Sequence, residues 1–551
     1  MLIKAARIAL SISLAIVAGI TDLPASSNPA PVAEAIEINR AEYRERLRGF
    51  WLGSCIANWT GLKTENARSQ PPFLTDEDWN TAAGHGGAVL DFVLDDDPWK
   101  ADDDTDIEYV YLATMDRHDT HRLTGQQIAA AWVRHVDLPM LWVSNLSAAG
   151  QMQHGAIPPE TSLPQNNPMW DMIDAQLTTE IFGTLSPGRP DIALEMAYLP
   201  IRTTAYAHSQ WAAEFYVVMH ALVPLVDTSL PLEQQVFWLA EQARTRLPED
   251  SYITGMYDFV KADFLANPDR ENWEQTRDRL YETFQVQGAA GYDYKYPWDS
   301  GINFGASIIS LLYGGGDFKT TVRIGTLSGW DSDNPTATWG GLLGLLYGYQ
   351  GLETYFGKED FSDAYWIERT RPGFDKPVDS ITDMAGRSVS LIDQVVEESM
   401  GGIVTGDAWQ IPLAGLPVEQ AERVPEPRWR TIEDNDPHWK YTGFTTKDEQ
   451  WNASGATLTF GGAACRAEYT FKGTAVQYYA FRSADSGGVT IYIDGKKQAD
   501  ISLATESSPR GQFYAKIFEL HELPDTKHTI RIECDDSEAL KTIDMLSVIS
   551  D

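Results

Sequence analysis

The sequence predicts two folds in series, an all-helical domain followed by an antiparallel β-sandwich of jelly-roll type. Three observations lead there. From about Glu42 to Met400 the apolar residues recur at helical spacing and strand-like alternation is rare. Pro412, Pro417, Pro425 and Pro427 then mark a break, beyond which the period becomes two. With 551 residues, 43% of them hydrophobic and 11% aromatic, the chain can fill two or three cores, which argues against overall disorder.

In chain order, residues 1–25 read as a signal peptide. Lys4 and Arg7 precede a short apolar run from Ile8 to Ile20, and Pro24-Ala25-Ser26 supplies small residues near a cleavage point. That run is short for a membrane span, and no later segment is apolar for long enough to cross. The expected location is therefore secreted or periplasmic, with no membrane span after cleavage. Residues 40–415 form the expected helical domain. Val217–Leu222, Gln234–Ala243, Trp273–Phe284 and Ile302–Tyr313 carry clear helical periodicity within it. The stretch from Ser144 to Asn167, rich in Gly, Pro, Asn and Gln, reads as a long loop. Residues 416–430 read as a linker. From 431 to 551, Ala467–Phe471, Val476–Phe481, Val489–Ile493 and His528–Ile532 alternate as strands, and Asp494-Gly495 marks a hairpin turn.

The formal net charge of -36 argues against nucleic acid and anionic lipid as partners, since both need a basic surface. Three cysteines and ten histidines show no zinc-type spacing. Cys55 lies among apolar and small residues, as a packing residue does. Cys465 and Cys534 both fall on strand-like stretches; export would permit a disulfide, and two buried thiols are the alternative.

Two acidic clusters carry the chemistry. One is Asp102-Asp103-Asp104-Thr105-Asp106, with Glu108 a helical turn beyond Asp104; the other is Asp331-Ser332-Asp333-Asn334. Either alone suits an exposed helix start. Like charges packed together need a cation, and carboxylate, hydroxyl and amide oxygens favour magnesium, calcium or manganese over zinc. Gly49, Gly53, Ala57 and Gly61 recur four apart on one helix face, and Gly340, Gly341, Gly344 and Gly348 repeat the device after the second cluster. Glycines weaken a helix, so two such faces imply close approach by another backbone.

On these motifs the chain resembles the ADP-ribosylglycohydrolase family, over roughly residues 40 to 355. Ala57-Asn58 stands where the family has a Gly-Asp pair, and Glu65 where it has a Glu. Asp102-Asp103-Asp104-Thr105 stands for a Thr-Asp-Asp-Thr motif, and Asp331-Ser332-Asp333-Asn334 for an Asp-x-Asp-Thr motif. Gly188–Ala193, the Trp211–Leu222 helix, Asn303 and Leu311–Phe318 also fit its bacterial branch. The resemblance implies two magnesium ions held over a ribose, with calcium or manganese open because Asp102 and Asn334 replace threonines. Asp102, Asp103, Asp104, Asp331, Asp333 and Asn334 would be the ligands. Glu65, Asp104 and Asp331 would be catalytic. Asn58, Trp330, Asn303 and His208 would bind substrate, with Trp339, Tyr206 and Trp211 as further pocket candidates.

Export and the β-sandwich shift the expected substrate toward a glycan or glycoside. The expected activity is metal-dependent hydrolysis of a ribose-like or other furanoside bond. The alternatives are hydrolysis of ADP-ribosyl groups, a non-catalytic sugar-binding protein, and acidic clusters that bind calcium only for stability. The sandwich resembles modules appended to carbohydrate-active enzymes, with Trp429, Trp439 and Trp451 able to stack on sugar or to pack in the core. No acidic cluster of this kind maps there, so a chain ending near Pro425 is expected to keep activity on a small glycoside.

Overall fold

The computed structural model describes residues 35–267, 269–424, 429–448, 450, 452–505 and 511–549. The expected signal peptide, Pro425, Pro427 and Trp451 lie outside the described residues. Among these, fifteen α-helices run from Arg40 to Gln394, followed by antiparallel sheets.

The glycine faces explain the centre of the helical part. The first helix, Arg40–Gly61, starts at Asn39, whose side chain accepts a hydrogen bond from the Glu42 amide at 3.0 Å. It lies antiparallel against the helix Asp333–Tyr347. A Cβ added at Gly53 would stand 2.1 Å from the Gly340 carbonyl oxygen, and one at Gly344 would stand 2.0 Å from that of Gly49. The two glycine faces are thus each other's partners. At the far end Gly61 abuts the Asp333 backbone. This brings the C-terminus of one helix, and Glu65 just beyond it, beside the N-terminus of the other.

The stretch from Ser144 to Asn167 departs from expectation: Val143–Gln153 is a helix. Its start is capped from afar by Asp174, whose carboxylate accepts hydrogen bonds from the amides of Ser144 and Asn145, each at 3.2 Å. Local composition gives no sign of such a cap. The stretch expected as a linker, from Leu416 on, is pinned to the helices: the Ala421 amide donates to Arg246 O at 2.8 Å, and Val418 and Ala421 are buried.

The C-terminal part stacks two antiparallel sheets. One has four strands in the order Gln512–Leu520, Ala475–Arg482, Met545–Ile549 and Trp429–Glu433. The other is built around Leu458–Gly473 and includes the hairpin Gly488–Ile493 with Lys496–Ser502. Its turn residues Asp494 and Gly495 have φ of 51° and 76°, as a type I′ turn requires. Cys465 and Cys534 form a disulfide between neighbouring strands. Ile432, Trp439, Ile491 and Ile532 belong to the core between the sheets, so Trp439 is a packing residue. Tyr479, Tyr514 and Met545 instead join the core of the helical part.

Candidate active site

Three chain segments meet at the end of the glycine-packed helix pair. Asp102 precedes the helix Asp103–His118, and Asp331 lies in the loop that opens Asp333–Tyr347. Helix N-termini favour negative charge, which suits both carboxylate groups. Glu65 comes from the turn after the first helix. Two loops are tied together there: the Asn66 amide donates to Trp330 O at 2.7 Å, and the Trp330 amide to Arg68 O at 2.8 Å.

The outcome is two carboxylate triads that share a member. Glu65, Asp331 and Asp333 form one, and Asp102, Asp104 and Asp333 the other; within each triad the oxygens lie within 4.8 Å of one another. Asp104, Asp331 and Asp333 are buried, at 5%, 7% and 3% exposure. Burial comes first among the causes that raise their pKa values. Asp103 adds to it for Asp104, and Glu65 for Asp331 and Asp333, so all three stand well above the usual carboxylate range. Burial, with Asp103 and Asp102 alongside, pushes Glu65 up to about 8. Burial and Asp103 push Asp102 up to about 7.

Compensating cations reach only one side. Arg369 donates to Asp102 Oδ1 at 3.2 Å, and Arg371 pairs with Asp106 at 2.9 Å with both side chains fully buried. Among the described residues no salt bridge reaches Glu65, Asp104, Asp331 or Asp333. Two side-chain oxygens nearby, Asn58 Oδ1 and Asn334 Oδ1, are buried without a hydrogen-bond partner among the described residues. All the donors are hard oxygens. Uncompensated carboxylates and orphaned amide oxygens fit one or two hard divalent cations.

Glu65, Asp104, Asp331 and Asp333 form the floor of a cavity of about 190 Å³; Asp102 is not among its lining residues. Asp103, Asn66, Trp142, Val143, Asp174 and Trp298 are among its other lining residues. Trp142 is 43% exposed at the mouth. Burial pushes Asp174 up to about 7, against the hydrogen bonds it accepts from Ser144 and Asn145. Sequence reasoning missed Trp142, Asp174, Trp298, Arg369 and Arg371. None belongs to a local pattern, although the run Trp366-Ile367-Glu368-Arg369-Thr370-Arg371 places two arginines on an otherwise acidic chain.

Four residues expected at the substrate are not among the residues lining the cavity. Trp330 is fully buried, donates its indole N–H to Gln285 Oε1 at 2.8 Å, and braces the Glu65 loop rather than lining the cavity. Asn303 Oδ1 accepts the Asp331 amide at 3.0 Å, while its Nδ2 donates to Pro297 O at 2.7 Å; it holds the loop in place. His208 packs against Trp170 and Tyr252, with ring centroids 5.0 and 4.4 Å away. Asn58 donates to Asp102 Oδ2 at 3.3 Å and so orients a carboxylate. Asn334 Nδ2 lies 3.5 Å from Asp104 Oδ1. Glu108 points away from the floor and accepts the Ile181 amide at 2.6 Å. Trp339 is fully buried and donates its indole N–H to Ser307 O at 2.8 Å.

A search of curated protein sequences found no match. Among solved structures, an ADP-ribosylglycohydrolase-related protein complex is 13% identical, with 64% of this chain and 98% of that chain covered and a TM-score of 0.40. A family 35 carbohydrate binding module from Clostridium thermocellum is 10% identical over 22% of this chain and 98% of its own, with a TM-score of 0.19. A cycloisomaltooligosaccharide glucanotransferase from Paenibacillus sp. is 14% identical over 22% of this chain, with a TM-score of 0.19; the present chain spans 18% of its length. The sequence profile of the ADP-ribosylglycohydrolase family matches residues 39–398. That match takes in the whole helical part and both triads, and the chain belongs to the ADP-ribosylglycohydrolase family.

Proposed function

We propose that this protein is an exported, metal-dependent glycoside hydrolase that cleaves a ribose-like or other furanoside bond. Family membership supports hydrolysis of a glycosyl bond. The observation that carries the finer reading is the pair of triads sharing Asp333 beneath a cavity with tryptophans in its wall. Asp102, Asp104, Asp331, Asp333 and Glu65 would hold the cations, with the free oxygens of Asn58 and Asn334 nearby, and the cations would polarise a sugar diol and an attacking water.

The chain's own groups do the rest. Trp142 and Trp298 offer apolar faces on which a sugar ring can stack and exclude water. Glu65 stands at the cavity, where a carboxyl group can pass a proton to or from an oxygen. Arg369 fixes Asp102, and Arg371 fixes Asp106 beside it.

The test is a screen of nitrophenyl furanosides and ADP-ribosyl substrates in magnesium, manganese, calcium or chelator. Cation-dependent release from a furanoside supports the proposal. Release from ADP-ribosyl substrates alone supports the second reading, which family membership favours. Turnover unaffected by chelator contradicts both.

A further inference from the structure

The C-terminal sheets touch the helical part at the segments that wall the cavity. The helix Val143–Gln153 begins at that wall, and its Gly150 lies where a Cβ would be 3.4 Å from Gln512 Cγ. Further along, Gln165 O accepts from both Gln477 Nε2 at 3.1 Å and Lys516 Nζ at 2.6 Å. The third contact is Tyr296, which donates its hydroxyl to the Glu433 carboxylate and lies 3.2 Å from Ser454 Oγ. Trp298 of the cavity wall follows two residues later. Between them Pro297 O accepts from Asn303 Nδ2, and Asn303 Oδ1 accepts the Asp331 amide. A short chain of bonds therefore runs from the sheets to the backbone of Asp331, whose side chain lies in the cavity floor. Tyr514, from the same sheets, is buried in the helical core close enough to feel the charges of Glu433 and Asp174.

We propose that the sheets are a positioning element of the active site: through Tyr296 and Asn303, Glu433 and Ser454 hold both the Trp298 wall and the Asp331 loop. The arrangement differs from an appended binding module, which would meet the catalytic part across a wet, polar rim. Here Tyr479, Tyr514 and Met545 extend the helical core instead. It also reverses the expectation that a chain ending near Pro425 keeps its activity. The effect on cation affinity rests on the proposed reading of the triads; the effect on loop order does not.

The experiment uses the full chain carrying Tyr296→Phe, Glu433→Ala or Glu433→Gln. Hydrogen exchange is followed by mass spectrometry over residues 295–303 and 329–334, and manganese affinity by calorimetry. Tyr296→Phe removes only a hydroxyl, and Glu433→Ala removes its acceptor together with that of the Ser454 hydroxyl. Each should speed exchange in both segments by about fivefold, the ordinary weight of one hydrogen bond, and weaken manganese binding by a similar factor. The helix Tyr252–Ala266 should exchange as in the wild type. Glu433→Gln keeps an acceptor oxygen and should restore wild-type exchange in both segments. Unchanged exchange at 295–303 and 329–334 in both Tyr296→Phe and Glu433→Ala overturns the proposal. A wild-type protein that takes up no manganese would sink the cation reading alone, and exchange would still decide the positioning role.

Discussion

Asp333→Asn should make the cation-free protein more stable while removing its response to metal. Asp333 is the member common to both triads, with Glu65 and Asp331 on one side and Asp102 and Asp104 on the other, their oxygens within 4.8 Å. Two unit charges at that distance repel by about 3.5 kcal/mol at an effective dielectric near 20. Protonation caps the penalty, because burial and the neighbouring carboxylates hold Asp333 well above the usual carboxylate range. The neutral amide fills nearly the same space. The expected gain without cation is therefore about 1–3 kcal/mol, or a rise in Tm of about 1–3 °C in a chain of this size. The wild type gains in turn when cation is present, by about 2.7 kcal/mol at a hundred times Kd. Calorimetric melts of both proteins, in chelator and in excess magnesium or manganese, give the four numbers needed. The wild type should rise with cation and the variant should not. A variant that melts below the wild type in chelator, or that keeps the cation-dependent rise, refutes the reasoning.

Other consequences follow from the same geometry. Asp104→Ala and Asp331→Ala should each lower kcat/KM by about a thousandfold or more while far-ultraviolet circular dichroism stays helical, since each dismantles a cation site rather than a single contact. Gly53→Ala gains about 1 kcal/mol of helix propensity but drives a methyl to 2.1 Å from Gly340 O; denaturant unfolding should show a net loss of about 1–3 kcal/mol. The pH dependence has a definite sign. Glu65 and Asp102 are raised to about 8 and about 7 in the folded protein, from ordinary values near 4. Their contribution to the stability of the cation-free protein is complete below about pH 4 and is lost as pH climbs through 7 and 8. Cation affinity should rise across the upper part of that window, with protons released on binding. Calorimetry in two buffers of different ionisation heat measures the release, and none at pH 6.5 would contradict it.

Much of this was legible because the signals are local. The change from helical to strand period near residue 430 appears as fifteen helices followed by antiparallel sheets. The glycine faces announced a close backbone approach, and the structure makes them partners of each other. The acidic clusters announced shared charge, and folding places them together. What was hidden depends on contacts between distant residues. Asp174 caps the helix Val143–Gln153 from some thirty residues away, so a glycine- and asparagine-rich stretch read as loop. Trp142 and Trp298 reach the cavity from segments with no motif. Trp330, by contrast, stands next to Asp331 in sequence and yet faces inward, because its φ of 57° turns the chain at that point. The shared core was hidden in the same way: Val476–Ala480 read as an alternating strand, yet it is buried on both faces because Tyr479 joins the helical core.

The central claim is that the two triads hold divalent cations for catalysis. Anomalous diffraction from crystals grown in manganese tests it most directly, because the signal locates the ion itself. The account predicts density among Glu65, Asp331 and Asp333, or among Asp102, Asp104 and Asp333, with both positions filled at saturation and Asp333 between them. Crystals at saturating manganese with no anomalous peak at either triad, and with these carboxylates turned away from one another, would contradict it.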